Sequence, residues 1–153
     1  MFGKLSIIGC GLIGSSILRA VQEKKLALKI SVYDNSNRVM EYLKKKFSVD
    51  ICSNLSATVK DADLIIISAP LSSYKEILLS IKPNLKEGSI LTDTGSAKKE
   101  VNKIVNNLGL KNISWIASHP IAGTEHSGPD AGFSSLFKNR WCILSAANQV
   151  AKD

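Results

Sequence analysis

Two stretches of this sequence combine residue types that could hold a ligand and move a proton. The first is a glycine run, "GCGLIG" at residues 9–14, with Asp34 twenty residues after its last glycine. The second is "SHPIAGTEHSGP" from Ser118, which contains both histidines of the chain. Glycine turns at helix starts bind phosphate groups through backbone N–H groups, and histidine exchanges protons near neutral pH. The two stretches therefore indicate a nucleotide site beside a proton acceptor.

The glycine run has the spacing G-x-G-x-x-G, follows a predicted strand and opens a predicted helix. Together with an acid at the end of the next strand, this is the fingerprint of a dinucleotide-binding fold. Gly9 would permit the tight turn, Gly11 would let the backbone approach the pyrophosphate, and Gly14 would let the helix pack closely on the strand. Asp34 would accept hydrogen bonds from the adenosine ribose and repel a 2′-phosphate, which predicts NAD rather than NADP, although Arg38 could soften that preference. In the alternative, the glycines only shape the turn and Asp34 caps the next helix.

Other cofactor contacts are expected beside the glycines and at the ends of two further strands, because ligands of open parallel sheets bind at the carboxyl ends of strands. The residues expected there are Leu12, Ile13, Ser68, Ala69, Pro70 and Thr94. Pro70 could equally start the helix that follows its strand. For Thr94, two roles stay open: a contact with the nicotinamide, or a purely structural position.

The elements that must position these residues follow from an alternation of short apolar runs with helical patterns. Six runs have the length and composition of strands: "KLSIIG", "KISVYD", "ADLIIISAP", "GSILTDTG", "ISWIASHP" and "WCILSA". The alternation predicts an α/β fold with a doubly wound, mostly parallel sheet of the Rossmann type. The third run is apolar at four consecutive positions, as in a strand covered on both faces, so it should lie at the centre of the sheet.

Helical patterns fill the gaps between the strands. The predicted helices are "LIGSSILRAVQEKK", one that ends in Lys44–Lys46, "SSYKEILLSIKPNL" and "KKEVNKIVNNLG", the last with Gly109 as its C-terminal cap. A connection of about twenty residues follows the strand that ends near His119, and its length predicts a functional loop. Within it, His126 is expected as a residue of the loop surface. Glu125 and His126 also lack the spacing of metal ligands.

The composition sets limits on partners and compartment. With 153 residues, 44% of them hydrophobic and 22% charged, the chain should form one domain over residues 1–153. Lys and Arg exceed Asp and Glu by 20 to 13, but the basic residues are scattered, so no nucleic-acid partner is expected. The three cysteines form no C-x-x-C pair, and no apolar run is long enough for an export signal or a membrane span. These features predict a cytoplasmic protein with no metal site and no membrane partner.

A second group of chemically capable residues lies at the ends of two later strands. Ser96 follows the fourth predicted strand in "TDTGSAKK", and His119 ends the fifth. Both ends should meet at one crevice, where His119 could accept a proton while the cofactor accepts a hydride. A histidine held in a turn or in the core is the alternative for His119, and a Ser-His-Asp triad with Asp93 would lack the G-x-S-x-G elbow. Lys98 could contact a substrate carboxylate or only begin a helix.

In this order, "GCGLIGSS", "DTGSAK" and "HPIAGTEHSGP" resemble the motifs of the prephenate and arogenate dehydrogenases of tyrosine biosynthesis. The resemblance covers essentially the whole chain, and the last motif is its most specific part. It implies an NAD-dependent oxidative decarboxylation, of prephenate to 4-hydroxyphenylpyruvate or of arogenate to tyrosine. The motifs do not separate these two substrates.

The site residues of the family carry over by position. The residues implied in catalysis or substrate contact are His119 as proton acceptor, Ser96 as its orienting serine, and Gly123, Thr124 and Glu125 beside the substrate. Two departures from the family pattern, Ala97 in place of valine and Ser15 in place of glycine, do not touch the chemistry.

The family resembled here continues into a helical second domain, which forms a homodimer and supplies an arginine for a substrate carboxylate. The resemblance therefore implies the cofactor domain of a longer enzyme, or a shortened relative, whose partner is a small-molecule substrate. Arg140 is not expected to replace that arginine, because strands of a parallel sheet begin at the edge opposite the site. The competing interpretations are a non-catalytic NAD-sensing module and another NAD(P)-dependent hydroxyacid dehydrogenase.

Overall fold

Apolar runs rich in β-branched residues form one sheet in the computed structural model, which describes residues 1–146. The strands are β1 (Phe2–Ile8), β2 (Ala27–Tyr33), β3 (Asp50–Ile51), β4 (Leu64–Ile67), β5 (Ile90–Asp93), β6 (Ser114–Pro120) and β7 (Cys142–Ala146). The α-helices are α1 (Leu12–Glu23), α2 (Asn37–Lys46), α3 (Leu55–Val59), α4 (Tyr74–Ile81) and α5 (Lys98–Leu108). Short 3₁₀ helices cover Leu71–Ser73, Lys82–Asn84 and Ser134–Phe137. None of the helices in this part of the chain is long and apolar enough to cross a bilayer.

The strand order is β3-β2-β1-β4-β5-β6-β7. Strands β1 to β6 are parallel, and β7 pairs antiparallel with β6. The doubly wound, mostly parallel α/β sheet predicted from the sequence is therefore confirmed, and so is the central place of β4. The sequence pattern does not predict β3 and α3, because elements of two and five residues are too short to show a period.

Side chains of β4 enter two separate cores, one on each face of the sheet. Ile65 and Ile67 pack with residues of α3, α4 and α5, whereas Ile66 packs with residues of α1 and α2. Successive side chains of a strand point to opposite faces, so a strand covered on both faces must be apolar throughout. Burial of one such side chain stabilises the fold by roughly 1.5–3 kcal/mol. The end of β4 is thus a rigid base for the residues that follow it.

Two helix ends match the residue types that cap them. The C-cap of α5 is Gly109, whose φ of 55° is the left-handed conformation that glycine adopts without strain, as predicted. The N-cap of α2 is Ser36, whose hydroxyl accepts from Val39 N at 3.4 Å. The last turn of α2 carries Lys44–Lys46, where cations are favourable.

The connection between β6 and β7, residues 121–141, contains no α-helix and is held at several points. Arg19 Nε of α1 donates to Gly132 O at 2.7 Å. At the two ends of the connection, Ile121 N donates to Trp141 O at 2.8 Å. The loop that contains "GTEHSGP" is therefore anchored to α1 and closed at its base.

Candidate functional site

The turn between β1 and α1 needs glycine at one position and the first turn of α1 needs it at another, for different reasons. Gly9 has a φ of +88°, and a Cβ there would lie 2.5 Å from the Ser68 carbonyl oxygen. Gly14 packs so closely that a Cβ would lie 1.9 Å from the Gly9 carbonyl oxygen. At Gly11, by contrast, a Cβ would meet no atom within 4 Å. The backbone at Gly11 is therefore open to a ligand, although the Cβ positions of Gly9 and Gly14 on either side of it are crowded.

Helix α1 begins directly after this open surface. Gly11 is its N-cap, with extended backbone, no side-chain cap and no acidic residue in the first turn. The first N–H groups of a helix have no partner inside the helix, and the helix dipole makes this end positive. The start of α1 thus offers backbone donors that fit a phosphate group.

A cleft of about 560 Å³ lies over this turn, at the carboxyl ends of β1, β2, β4 and β5. Nine of the expected cofactor residues line it: Gly9, Gly11, Leu12, Ile13, Asp34, Ser68, Ala69, Pro70 and Thr94. Gly14 is buried and does not line it. The sequence motif and the later strand ends therefore meet around one cavity.

Asp34 follows β2 and bridges two connections beside the cleft. Its Oδ2 accepts from Cys10 N at 2.7 Å, and its Oδ1 accepts from Ser36 N at 2.9 Å. The alternative in which Asp34 only caps the next helix is wrong, because Ser36 caps α2. Burial, with the Asp34 carboxylate as the second cause, raises the pKa of the Cys10 thiol to about 12. The thiol therefore stays protonated inside the turn.

One wall of the cleft is not predicted by the sequence. It is formed by Leu55 of α3, by Ser73, and by Glu76 and Ile77 of α4. These residues are distant in sequence from the glycine run, and α3 is too short to show a period, so no local signal marks them. Among the described residues, the charged side chains that line the cleft are Asp34 and Glu76. Both are acidic.

The connections that follow β4 and β5 are joined to each other beside the cleft. Thr94 Oγ1 donates to Ser68 Oγ at 3.1 Å, and Thr94 N donates to Ile67 O at 3.0 Å. Pro70 lines the cleft and also immediately precedes the 3₁₀ helix Leu71–Ser73, so its two expected roles are compatible.

Asp93, the last residue of β5, is fully buried and accepts hydrogen bonds from several directions. Lys98 Nζ lies 2.6 and 2.5 Å from its two carboxylate oxygens. Gly95 N and Ser118 N each donate to it at 3.1 Å, and the Tyr74 hydroxyl donates at 3.3 Å. Lys98 begins α5, as one of its two sequence-based interpretations predicts. It is also the counter-ion of Asp93, which neither interpretation includes.

Ser96 and His119 lie at the same edge of the sheet as the cleft but do not line it. Ser96 is exposed in the turn between β5 and α5, and His119 is half-buried near the end of β6. Ser96 follows β5, and His119 lies in the adjacent strand β6, since Thr92 of β5 lies opposite Ile116 of β6. Within residues 1–146, the hydrogen bonds of the Asp93 carboxylate go to groups other than His119, which removes the basis for a Ser-His-Asp triad. The proton-acceptor role of His119 stays a prediction.

The expected substrate residues lie in the loop after β6, outside the cleft. Gly123, Thr124 and Glu125 are exposed, and a Cβ at Gly123 would meet no atom within 4 Å. Thr124 Oγ1 accepts from His126 N at 3.2 Å, and His126 lies at the surface as expected. No cluster of three potential metal ligands occurs among the residues that the structure describes. The contact of these loop residues with substrate stays a prediction.

The expected position of Arg140 is wrong. Because β7 runs antiparallel to β6, it begins at the edge where β6 ends: Cys142 lies opposite Pro120, and Ile143 lies opposite His119. Arg140 precedes β7 by two residues and is exposed, so it lies at the same edge as His119. A pattern of apolar residues predicts a strand but not its direction, which is why the sequence misplaces this arginine.

Comparisons with known proteins agree with this architecture. A family model described as "Prephenate dehydrogenase, nucleotide-binding domain" matches residues 17–152. The cyclohexadienyl dehydrogenase of Zymomonas mobilis is 36% identical over 146 residues, which cover 95% of this chain and 50% of that protein. The prephenate dehydrogenase of Lactococcus lactis is 34% identical over 153 residues, which cover 98% of this chain and 43% of that protein.

A solved structure extends the likeness to the fold. The prephenate dehydrogenase from A. aeolicus, in complex with hydroxyphenyl propionate and NAD+, has a TM-score of 0.83 and 25% identity over 97% of this chain and 52% of that one. The chain spans about half the length of the curated relatives it matches. Since the family match covers residues 17–152, this chain belongs to the family of prephenate dehydrogenase nucleotide-binding domains.

Proposed function

We propose that this chain is the NAD-binding domain of an enzyme that oxidises and decarboxylates prephenate or arogenate. The observation that carries the proposal is that the dinucleotide turn and the imidazole of "HPIAGTEHSGP" lie at one edge of the sheet. A module that only senses a nucleotide has no need of a proton acceptor at the end of β6. The three free cysteines suit the reducing cytoplasm as the compartment of the enzyme.

The nucleotide is NAD, which supplies the hydride acceptor when it is bound. Gly11 and the first N–H groups of α1 hold the pyrophosphate, and Asp34 accepts hydrogen bonds from the adenosine ribose. Asp34 and Glu76 both line the cleft, and their negative charges disfavour the 2′-phosphate of NADP. Thr94, joined to Ser68, lies on the nicotinamide side of the site.

His119 accepts the proton of the substrate's ring hydroxyl as a hydride leaves the same carbon. A neutral imidazole suits this task, because its unprotonated ring nitrogen can accept a proton. The ring carboxylate then leaves as carbon dioxide, its bonding electrons make the ring aromatic, and the ring oxygen regains a proton as a phenol. Ser96 orients the imidazole, while Thr124 and Glu125 contact the substrate beside Gly123.

An exposed apolar face next to His119 supports the presence of a second domain in the complete enzyme. Ile121, Trp141 and Ile143 are 44%, 84% and 58% exposed. In the antiparallel pairing Ile143 lies opposite His119, and Ile121 bonds to Trp141, so the three side chains share one face with the imidazole. Exposed apolar patches are typical of interfaces. A helical domain that covers this face would complete the substrate site and form the homodimer.

The direct test uses the isolated chain and a longer protein that contains it. Calorimetry should show that the isolated chain binds NAD more tightly than NADP. NADH absorbance should show that the longer protein oxidises prephenate or arogenate, whereas the isolated chain turns over either substrate poorly. Full activity of the isolated chain would contradict the division of the substrate site between two domains. NAD binding without turnover by the longer protein would favour an NAD-sensing module instead.

A further inference from the structure

We propose that Asp93, together with Lys98, is a positioning residue for the dehydrogenase reaction. The buried pair sets the placement of two segments, the turn that contains Ser96 and the end of β6 that contains His119. This inference rests on the proposed function of Ser96 and His119, and it assigns a role to a buried carboxylate that the reaction itself does not use.

The first segment is held by the ion pair. Asp93 ends β5, and Lys98 begins α5, so the contact between them closes the turn 94–97 in which Ser96 lies. Lys98 Nζ binds both carboxylate oxygens, at 2.6 and 2.5 Å, and Gly95 N donates to Oδ2 at 3.1 Å. The Asp93 side chain is fully buried and that of Lys98 is 22% exposed, so water competes little for either partner. The turn is therefore fixed from inside.

The second segment is held by the same residue. The regular pairing of β5 with β6 ends at Thr92 and Ile116. Beyond that point Ser118 N donates to Asp93 Oδ1 at 3.1 Å, and the Ser118 hydroxyl donates to the Asp93 carbonyl oxygen. Side-chain bonds thus replace the strand ladder at the residue immediately before His119.

Tyr74 of α4 supports the carboxylate from a third direction. Its ring is fully buried, and its hydroxyl lies 3.3 Å from Asp93 Oδ2. Burial, followed by the charge of Asp93, raises the pKa of Tyr74 above its ordinary value, so the phenol keeps the proton that it donates. The carboxylate therefore joins α4, the Ser96 turn and the end of β6.

The location of the pair favours positioning over stability alone. A buried ion pair is often no better for stability than apolar residues of similar volume, because both charges lose their hydration. Here the two oxygens serve different segments: Oδ2 accepts from Gly95 and Oδ1 from Ser118. In an Asp93→Asn variant the side-chain amide has one carbonyl oxygen in place of two. It can therefore accept from Gly95 N or from Ser118 N, but not from both.

The test compares variants of the longer enzyme that contains this domain. Asp93→Asn alone should lower both kcat and the unfolding temperature, because Lys98 loses its counter-ion. Adding Lys98→Met removes both charges and should restore much of the unfolding temperature. The double variant should still have a kcat about 10- to 100-fold below the unmodified enzyme, the loss expected when reacting groups are displaced by about 1 Å. The substrate KM and the NAD dissociation constant should change less than threefold.

A matched control exists at the opposite edge of the sheet. Asp63 accepts from Lys86 Nζ at 2.6 Å and from two backbone N–H groups, of Gly3 and Lys4, so it matches Asp93 in its lysine and backbone partners. The double variant Asp63→Asn with Lys86→Met should leave kcat unchanged.

The outcomes separate this inference from the proposed function. A kcat that returns with the unfolding temperature in the Asp93 and Lys98 double variant would overturn the inference and leave the proposed function intact. No turnover of prephenate or arogenate by the unmodified enzyme would overturn both. If the double variant does not fold, Lys98→Met alone decides, since it removes the ion pair that closes the Ser96 turn: a lowered kcat at unchanged NAD affinity supports the inference, and an unchanged kcat overturns it.

Discussion

The sheet carries a carboxylate paired with a lysine at the carboxyl ends of its parallel strands, here the carboxyl edge, and another at their amino ends, here the amino edge. The two pairs have opposite surroundings. At the carboxyl edge the Asp93 side chain is fully buried and that of Lys98 is 22% exposed. At the amino edge the side chains of Asp63 and Lys86 are 31% and 50% exposed. Both carboxylates also accept hydrogen bonds from two backbone N–H groups. The lysine and backbone partners are of the same kinds, whereas the Tyr74 hydroxyl is an additional partner of Asp93. The two pairs also differ in burial and location.

That difference shows which ends of the strands are held in place by buried side-chain contacts. The exposed pair is screened by water and salt, so it contributes little to stability. The buried pair lies where the turn bearing Ser96 leaves the sheet, beside the end of β6 that carries His119. The carboxyl edge also holds the crowded glycine turn, whereas the amino edge has none of the proposed functional residues. Changes at the two edges should therefore affect different properties of the proposed enzyme.

The largest effect is expected for His119→Asn in the longer enzyme. Removal of a general base typically lowers the rate by about 10²- to 10⁴-fold, and NAD affinity should be retained because His119 does not line the cleft. Steady-state kinetics and calorimetry measure the two quantities. The control is His126→Asn, a change of the exposed loop histidine, which should preserve turnover. Weakened NAD binding with normal turnover in the His119 variant would contradict the proposed roles.

Two glycines with positive φ offer a second contrast between the edges. Gly9 at the carboxyl edge has a φ of +88° and a crowded Cβ position, whereas Gly88 at the amino edge has a φ of +77° and no atom within 4 Å of that position. Gly9→Ala should abolish NAD binding and destabilise the fold by about 3 kcal/mol or more, from backbone strain plus overpacking. Gly88→Ala should cost only about 1–2 kcal/mol of backbone strain and leave NAD affinity unchanged. Urea unfolding and calorimetry on both variants test this, and equal losses of affinity would contradict it.

Cofactor preference should respond to the two acids of the cleft. Asp34→Asn should lower NAD affinity about tenfold, the effect of losing a charged hydrogen-bond acceptor, and should narrow the gap between NAD and NADP. Glu76→Gln should improve NADP affinity by less than the roughly tenfold change expected for Asp34→Asn. It should leave NAD affinity almost unchanged, because it removes only a charge that repels the 2′-phosphate. Calorimetric titrations with both dinucleotides measure these ratios. Glu87→Gln at the amino edge is the control, and a similar gain in NADP affinity there would mean that overall charge, not the cleft, sets the preference.

The smallest effect is expected for Asp63→Asn. Hydrogen bonding to Lys86 first, and to Lys4 N next, lowers the pKa of Asp63 in the folded protein. A lowered folded-state pKa stabilises the protein above the ordinary aspartate range, and this contribution is lost as the pH falls through the folded-state value. The variant should therefore be slightly less stable than the unmodified chain at neutral pH, and the difference should shrink below about pH 3.9. Urea unfolding across this range is the measurement, and a difference that does not depend on pH would refute the assignment.

Much of the fold can be predicted from local patterns. The apolar run of β4 predicts a strand buried on both faces, and the cap at Gly109 predicts the end of α5. The glycine run is a local motif whose geometry depends on its own residues, so its turn can be predicted as well. By contrast, β3 and α3 are held by neighbours rather than by a period of their own, and no pattern marks them.

What cannot be predicted depends on contacts between distant segments. The direction of β7 is set by pairing with β6, so the edge at which Arg140 lies cannot be derived from an apolar run. The partner of Lys98 is five residues away in sequence, but only the folded turn shows that the lysine points inward to Asp93. The wall of the cleft that contains Leu55 and Glu76 likewise exists only after α3 and α4 have packed.

The antiparallel pairing of β6 and β7 has a consequence for how substrate choice can change in this family. Because Ile121 N bonds to Trp141 O, the loop between them begins and ends at one closed base. Insertions in such a loop carry a small entropic cost, and the strands that frame it keep their register. The loop that we propose contacts the substrate can therefore change in length or sequence while the imidazole at the end of β6 stays in place.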